Sequence, residues 1–185
     1  MTIPIYVVAM LFVLGFAWWS DHIQQRTPFI VAGFCIGIVG LIAELAIPHP
    51  DMPGASYFFL FLVAAGLYSP FIVLVCLIGN NLAPSSKRAV GMAILISFGN
   101  FGGIAGSNIF LASQAPRYPA GYGTGLAICI IAVGAALVLR FAYDRENKRR
   151  DELVAGKSDD EIRSMYTDQE LLDLGDRSPF FRYTL

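Results

Sequence analysis

The first 143 residues of this chain contain very little charge. Their only acids are Asp21, Glu44 and Asp51, whereas eleven of the 14 acids and eight of the 13 bases of the sequence follow residue 143. A soluble domain needs far more charge to solvate its surface. The composition therefore excludes a soluble domain at 1–143 and predicts two regions: an apolar one at 1–143 and a water-facing tail at 144–185.

Histidine and cysteine are also scarce. The two histidines lie outside the apolar runs, and the three cysteines, Cys35, Cys76 and Cys129, share no CxxC spacing. The sequence has no HExxH motif, no GxSxG motif and no phosphate-binding glycine loop. We therefore expect no enzyme activity, no metal site and no cofactor. The basic run at 145–150 directly follows an apolar segment, where anchoring at a membrane surface explains it, so no nucleic-acid partner is predicted.

Five apolar runs are long enough to cross a hydrocarbon layer of roughly 30 Å, which takes about 20 helical residues. Inside lipid the backbone must satisfy its own hydrogen bonds, so each run is expected to be a helix. The sequence predicts an all-α integral membrane helical bundle in contact with the lipid bilayer. The runs are Thr2 to Trp19, Pro28 to Ile47, Ala55 to Gly79, Ala89 to Ser113 and Gly121 to Leu139.

The bases between these runs are distributed unequally. With five crossings, Arg117 lies on one side of the membrane, whereas Arg26, Lys87, Arg88, Arg140 and the basic run lie on the other. Because basic loops stay in the cytoplasm, the tail is predicted to be cytoplasmic. Five helices are an odd number, and the first would begin outside the cell with no charged residue to specify that orientation. We therefore expect that earlier helices are missing.

The fourth run contains two sets of small or polar residues. At about 100° per residue, its glycines fall on one face and form overlapping GxxxG pairs, which predicts close packing against another helix. Its polar residues fall on another face and are candidates for a watery path, the alternative being hydrogen bonds between helices with no ligand. The glycines are Gly99, Gly102, Gly103 and Gly106, and the polar residues are Ser97, Asn100, Ser107 and Asn108.

Two other runs contain residues that could serve transport. Tyr68, Ser69 and Pro70 lie in the middle of the third run, where proline removes a backbone donor and is expected to bend the helix. Glu44 is the one carboxylate within a run, which makes it a candidate for proton coupling. Its position just before Pro48, however, favours a solvated place at the membrane interface.

The tail contains signals of local order. Ser158 with Glu161, and Thr167 with Glu170, have the spacing of capping boxes and predict two short surface helices. The tail ends in an aromatic string at 180–183. Docking of this string on the bundle or on a partner, and a flexible end, are both open at this point.

Several separated motifs together resemble a known family. The segment 80–89 reads NNLAPSSKRA, Gly99 and Asn100 follow in the next run, APRY stands at 115–118, and the chain nears its end with LGDRSPFFRY at 174–183. This order is similar to the second half of the fungal anion:cation symporters of the major facilitator superfamily, the allantoate, nicotinate and pantothenate permease type. The sequence departs from the family pattern at Leu77, where tryptophan is expected, and at Pro84, where glycine is expected.

The resemblance implies a partial major facilitator fold in which the five runs correspond to helices eight to twelve. The amino-terminal half and helix seven would be missing partners, and the whole protein would move a small organic anion or vitamin together with protons, in the plasma membrane. The resemblance implies gate or loop-bracing roles for Asp21, Arg26, Lys87 and Arg88. Within that frame, Tyr68, Asn100 and Asn108 are the candidates for the substrate route.

Two functions of different classes remain in view. One is a fragment of a secondary active transporter, which is expected not to transport alone because alternating access places the site between two halves. The other is a membrane scaffold or regulatory subunit, in which the GxxxG faces serve assembly and the tail recruits a partner. Replacement of Asn100 by leucine separates them, because a scaffold should tolerate it.

Overall fold

The computed structural model describes residues 2–47, 52–115, 117–155 and 166–185. Five long helices account for most of them: α1 at Ile3–Ile23, α2 at Thr27–Ala46, α3 at Pro53–Asn81, α4 at Ser85–Ile109 and α5 at Pro119–Val154. A short helix α6 follows at Asp168–Leu174, and single 3-10 turns lie at Ala112–Gln114 and Gly175–Arg177. The prediction of an all-α bundle of five membrane helices is thus confirmed for the described part of the chain.

Proline marks where most of these helices begin. α1, α2, α3 and α5 each have proline in their first turn, where its missing N–H has no helical partner to lose. α1 ends at Ile23 because Gln24 adopts a left-handed conformation (φ 58°) and donates its backbone N–H to the Ser20 carbonyl at 3.0 Å. These local signals explain why the observed helices differ from the predicted runs mainly at their ends.

α5 is much longer than a membrane span. Its 36 residues correspond to about 54 Å at the helical rise, against roughly 30 Å of hydrocarbon. The helix passes residue 143, where the sequence suggested a boundary, without a break. It therefore carries the basic run at 145–150 beyond its apolar part as a continuous rod.

The closest helix contact joins α2 and α3 through glycine. A Cβ atom on Gly33 would lie 2.8 Å from the Pro70 side chain, and one on Gly40 would lie 2.8 Å from Val63. Between them, Gly37 and Gly66 meet so closely that a Cβ on Gly66 would collide with the Gly37 backbone. α2 and α3 thus cross with their backbones in contact, as small residues allow in membrane helices.

Pro70 lies inside this contact. α3 continues through Pro70 as one helix, and the proline is buried against Gly33. Because Pro70 has no backbone N–H, the Gly66 carbonyl four residues earlier lacks its usual donor. That carbonyl faces Gly37. The bend predicted for this helix would therefore fall within the glycine contact between α2 and α3.

The helices differ strongly in burial. α3 packs against α1 and α2, and α2 also packs against α5. Ile30, Val73, Leu77 and Ala136 form a cluster of buried hydrophobic residues between α2, α3 and α5. α4 contacts its neighbours least, and none of its residues is buried against the described part of the chain. α4 is therefore the element held least by side-chain packing.

Candidate functional site

Tyr68 lines a cavity between α1 and α3. Its ring lies 6.2 Å from that of Tyr6, centroid to centroid, with 61° between the ring planes. The cavity measures about 310 Å³, and apolar side chains form the rest of its wall. It is lined by Tyr6, Ala9, Met10, Val13, Tyr68, Phe71 and Ile72. The predicted route residue Tyr68 thus contributes to a cavity with mainly apolar walls.

Asn100 and Asn108 lie on the exposed α4. Asn108 donates to the Ile104 carbonyl at 2.9 Å, and Ser107 donates to the same carbonyl at 2.8 Å. The side chains of Ser107 and Asn108 therefore turn back onto their own helix. Within the described ranges, no hydrogen bond joins Tyr68 to either asparagine. Their predicted role in a substrate route stays a prediction.

The four predicted packing glycines of α4 face open space. In the part of the chain that the structure describes, nothing lies within 4 Å of a Cβ built on Gly99, Gly102, Gly103 or Gly106. Close packing at these glycines would need a partner outside the described residues, and it stays a prediction. The packing glycines of α2 are not among the predicted ones, although Gly33 and Gly37 have the same GxxxG spacing in the second run.

Glu44 lies in a different place from the one expected. Its position before Pro48 predicts a place at the interface in contact with water, but Glu44 is only 1% exposed and lies on the face of α2 that is turned into the bundle. The expectation of a solvated carboxylate is therefore wrong. Proximity to Pro48 in sequence did not decide which way the helix face turns.

The first pair of predicted gate residues forms a local ion pair. Arg26 Nη2 lies 2.5 Å from Asp21 Oδ1 and links the end of α1 to the start of α2. Arg26 is 7% exposed, whereas Asp21 is exposed. The Arg26 backbone N–H also donates to the main-chain oxygen of Leu185 at 2.5 Å.

The second pair of predicted gate residues, Lys87 and Arg88, contacts two different parts of the chain. Lys87 Nζ lies 2.7 and 2.6 Å from the two carboxylate oxygens of Asp176. Arg88 Nε donates to the Leu82 carbonyl at 3.1 Å and remains exposed. Lys87 thus connects α4 to the tail, whereas Arg88 braces the connection between α3 and α4. Whether either residue acts as a gate stays a prediction.

The last eleven residues, 175–185, are here called the tail segment. They lie across the end of the bundle where α1, α3 and α5 end and where α2 and α4 begin, here called the basic end. The tail segment contacts α2 at Arg26, α3 at Asn81, α4 at Lys87 and α5 at Asn147. Of the two possibilities left open by the sequence, docking on the bundle is the one observed.

Only one of the two predicted tail helices can be compared with the structure. α6 begins after Thr167, and the Thr167 backbone N–H donates to Glu170 at 2.8 Å, which is one half of the predicted capping box. Because this hydrogen bond stabilises the charged carboxylate of Glu170, it lowers the pKa of that group. The helix predicted after Ser158 lies outside the described residues.

Known proteins match the whole chain. The MFS-type transporter cnsO of Penicillium expansum is 35% identical over 188 residues, which cover 100% of this chain and 36% of that protein. The high-affinity nicotinic acid transporter of Saccharomyces cerevisiae is 27% identical over 99% of this chain and 33% of its own length. The MFS-type transporter efuF of Hormonema carpetanum is 30% identical over 82% of this chain and 31% of its own length.

The chain belongs to the major facilitator superfamily. It corresponds to the carboxyl-terminal part of these fungal transporters and spans about one third of their length. No family profile matches the chain, and neither does any solved structure. With five apolar helices and transporter homologues, this major facilitator chain is a multi-pass integral membrane protein.

Proposed function

We propose that this chain is the carboxyl-terminal part of a proton-coupled symporter for a small organic anion or vitamin. The observation that carries the proposal is the match of the entire chain to fungal transporters, one of which is named for nicotinic acid. An amino-terminal part of the kind that the longer relatives contain would face α4, whose polar and small residues have few contacts among the described residues. The comparisons do not favour the scaffold alternative.

The proposed substrate route runs past Tyr68 on α3 and past Asn100 and Asn108 on α4. These side chains offer neutral hydrogen-bond donors in helices whose apolar bodies contain no lysine or arginine. Neutral donors bind a carboxylate more weakly than a fixed positive charge would, so the substrate can be released on the other side of the membrane. A basic residue for the anion, where one is used, would come from the amino-terminal part.

The proposed orientation places the basic end and the tail segment in the cytoplasm. The bases of the loops and of the α5 extension lie at this end, whereas Arg117 lies at the other. We propose the plasma membrane as the location, by resemblance to the fungal anion:cation symporters. Protease added to intact cells and to permeabilised cells tests the orientation, because an epitope on the tail should be cleaved only after permeabilisation.

Uptake of a radiolabelled carboxylate, nicotinate first, tests the function in cells that produce the full-length protein. We expect uptake that falls when a protonophore collapses the proton gradient. Asn100→Leu should lower uptake at least about tenfold if the amide contacts the substrate, since about 1.4 kcal/mol corresponds to a factor of ten. Phe101→Leu, a conservative change at the next exposed α4 position, is the matched control and should retain uptake.

The outcomes separate the parts of the proposal. Uptake that is insensitive to the protonophore would remove proton coupling but not transport. Equal uptake by the Asn100→Leu and wild-type proteins would remove Asn100 from the route. Absence of uptake for a panel of small carboxylates, with the protein present at the cell surface, would contradict the proposed substrate class.

A further inference from the structure

Two asparagines on different helices hold consecutive residues of the tail segment. Asn81 at the end of α3 donates to the Thr184 carbonyl at 2.9 Å and accepts from the Thr184 backbone N–H at 2.8 Å. Asn147 on α5 donates to the Tyr183 carbonyl at 2.8 Å and accepts from the Tyr183 backbone N–H at 2.8 Å. Each carboxamide therefore makes a two-bond pair with one residue of the tail.

The geometry matches the way an extended peptide presents its backbone. In an extended chain the N–H and C=O groups of one residue point to one side, and those of the next residue point to the other. A side-chain carboxamide has one donor group and one acceptor, so it can pair with both groups of a residue as a neighbouring strand would. Asn81 and Asn147 thus hold opposite edges of the tail, which lies between α3 and α5.

The side chain of Tyr183 adds specificity to this backbone recognition. Its ring stacks on Tyr143 with centroids 4.5 Å apart and 9° between the planes, and the Arg150 guanidinium lies 4.7 Å from the ring centroid. Arg150, which is 6% exposed, also donates to the Phe181 carbonyl at 2.9 Å. Tyr143 and Arg150 are two turns apart on one face of α5, which leaves space for one aromatic ring.

The tail segment also connects to the start of α4. Asp176 accepts from Lys87 through both carboxylate oxygens, and its backbone N–H donates to the Ala83 carbonyl at 3.2 Å. This ion pair joins the first turn of α4 to the tail segment. α4 has no buried residue within the described ranges. The docked tail segment therefore adds an ion pair to the short connection that joins α3 to α4 at the basic end.

We propose that Asn81 and Asn147 form a peptide-binding cleft whose ligand is the chain's own tail segment, and that the docked segment fixes the position of the first turns of α4. The cleft recognises the backbone of residues 183 and 184 and the aromatic ring of residue 183. Release of the segment would free α4 without disturbing the glycine contact between α2 and α3. This proposal is independent of the substrate and of transport.

Hydrogen–deuterium exchange of the full-length protein in detergent micelles tests the proposal. In the wild type we expect slow exchange at the amides of Asp176, Tyr183 and Thr184. Asn81→Ala removes both bonds to Thr184 and should speed exchange across 181–185 by about tenfold or more, because the Thr184 amide loses its acceptor and its carbonyl loses its donor. Exchange in the first turns of α4 should rise in the same variant, while exchange in the body of α2, beyond the Arg26 contact with the tail segment, stays unchanged.

Asn80→Ala provides a matched control, because Asn80 is the adjacent residue of the same type and is exposed, whereas Asn81 is 1% exposed. We expect this control to exchange like the wild type. Asn147→Ala should reproduce the effect of Asn81→Ala from the other helix, and unchanged exchange in the body of α2 would show that each variant is folded.

Two results would overturn the proposal. Equal exchange across 181–185 in Asn81→Ala and Asn80→Ala would show that the carboxamide does not bind the tail. Faster exchange of the tail with no change in α4 would show that the segment binds but does not hold α4. Fast exchange of the tail in both asparagine variants, together with faster exchange at the start of α4, would support both parts.

Discussion

Lys87 donates to both carboxylate oxygens of Asp176 although 89 positions separate the two residues in the sequence. The Lys87 side chain is half exposed, and that of Asp176 is only 10% exposed. The carboxylate is thus desolvated on one side and depends on this lysine for its countercharge. The pair connects two segments, the α3–α4 region and the tail segment, that the sequence treats as separate motifs.

Replacement of Lys87 by glutamine should destabilise the protein, because the largely buried Asp176 side chain loses the cation that it pairs with. We expect a loss of about 1 kcal/mol, between the values for an exposed and a buried ion pair. Thermal unfolding in detergent measures the change as a lower midpoint temperature. Arg88→Gln is the control, because the Arg88 side chain is exposed and its bond to the Leu82 carbonyl lies at the surface, and its midpoint should fall less than that of Lys87→Gln. Equal shifts in the two variants would contradict the importance of the pair.

Replacement of Gly175 by alanine should detach the tail segment from the α3–α4 connection. Gly175 has φ 52°, and a Cβ there would lie 2.5 Å from the Ala83 carbonyl oxygen. Both the conformation and the space therefore exclude a side chain. We expect a lower unfolding midpoint and faster proteolysis of the tail. Gly134→Ala, at a helical position with open space around it, is the matched control and should be neutral or stabilising. A Gly175→Ala protein as stable as this control would contradict the docked geometry.

Replacement of Gly37 by alanine should separate α2 from α3. The new methyl would lie 3.3 Å from the Gly66 backbone, which cannot move away as a flexible side chain could. We expect a loss of about 1 to 3 kcal/mol from overpacking, measured as a lower unfolding midpoint and a lower yield of folded protein. A Gly37→Ala protein with wild-type stability would contradict this prediction.

Replacement of Gly99 by alanine tests the predicted role of the α4 glycines. Nothing lies within 4 Å of its Cβ position among the described residues, so unfolding of this region should not change. Loss of uptake by the full-length protein with unchanged stability would indicate that this face meets the amino-terminal part during transport. Unchanged uptake would instead show that Gly99 does not pack closely against another helix during the transport cycle.

Replacement of Tyr183 by phenylalanine and by alanine separates the ring from its hydroxyl. Tyr183 Oη lies 3.3 Å from the Asp176 carbonyl, a long hydrogen bond, whereas the ring contacts both Tyr143 and Arg150. We therefore expect the phenylalanine variant to keep the tail protected from protease and the alanine variant to lose protection. Equal protection in both variants would show that the aromatic contacts are unimportant for docking.

Local signals in the sequence were sufficient for the helices. Apolar runs of about 20 residues and prolines in the first turns place α1, α2, α3 and α5, because helix formation depends on neighbours within a few residues. The capping residues Thr167 and Glu170 likewise place α6. The motifs that resemble the anion:cation symporters also lead to the superfamily that the relatives confirm.

The contacts between helices required the tertiary structure. The GxxxG spacing occurs in both α2 and α4, and only the packing shows that the α2 glycines meet another helix within the described residues. The sequence also misplaced Glu44, because which side of an apolar helix turns inward depends on its neighbours. The predicted gate residue Lys87 pairs with Asp176, which lies in the tail segment and not near Lys87 in the sequence.

By itself, the sequence determined that the described part of this chain contains five helices able to cross a membrane, where most of them begin, and which superfamily the chain resembles. Only the tertiary structure decided that Asn81 binds Thr184, 103 positions away, and that the tail segment fastens α4 to α3 and α5. The physical reason is the range of the interactions. Helical hydrogen bonds and apolar periodicity act within a few residues, whereas a carboxamide selects its backbone partner only after the helices have brought the two together.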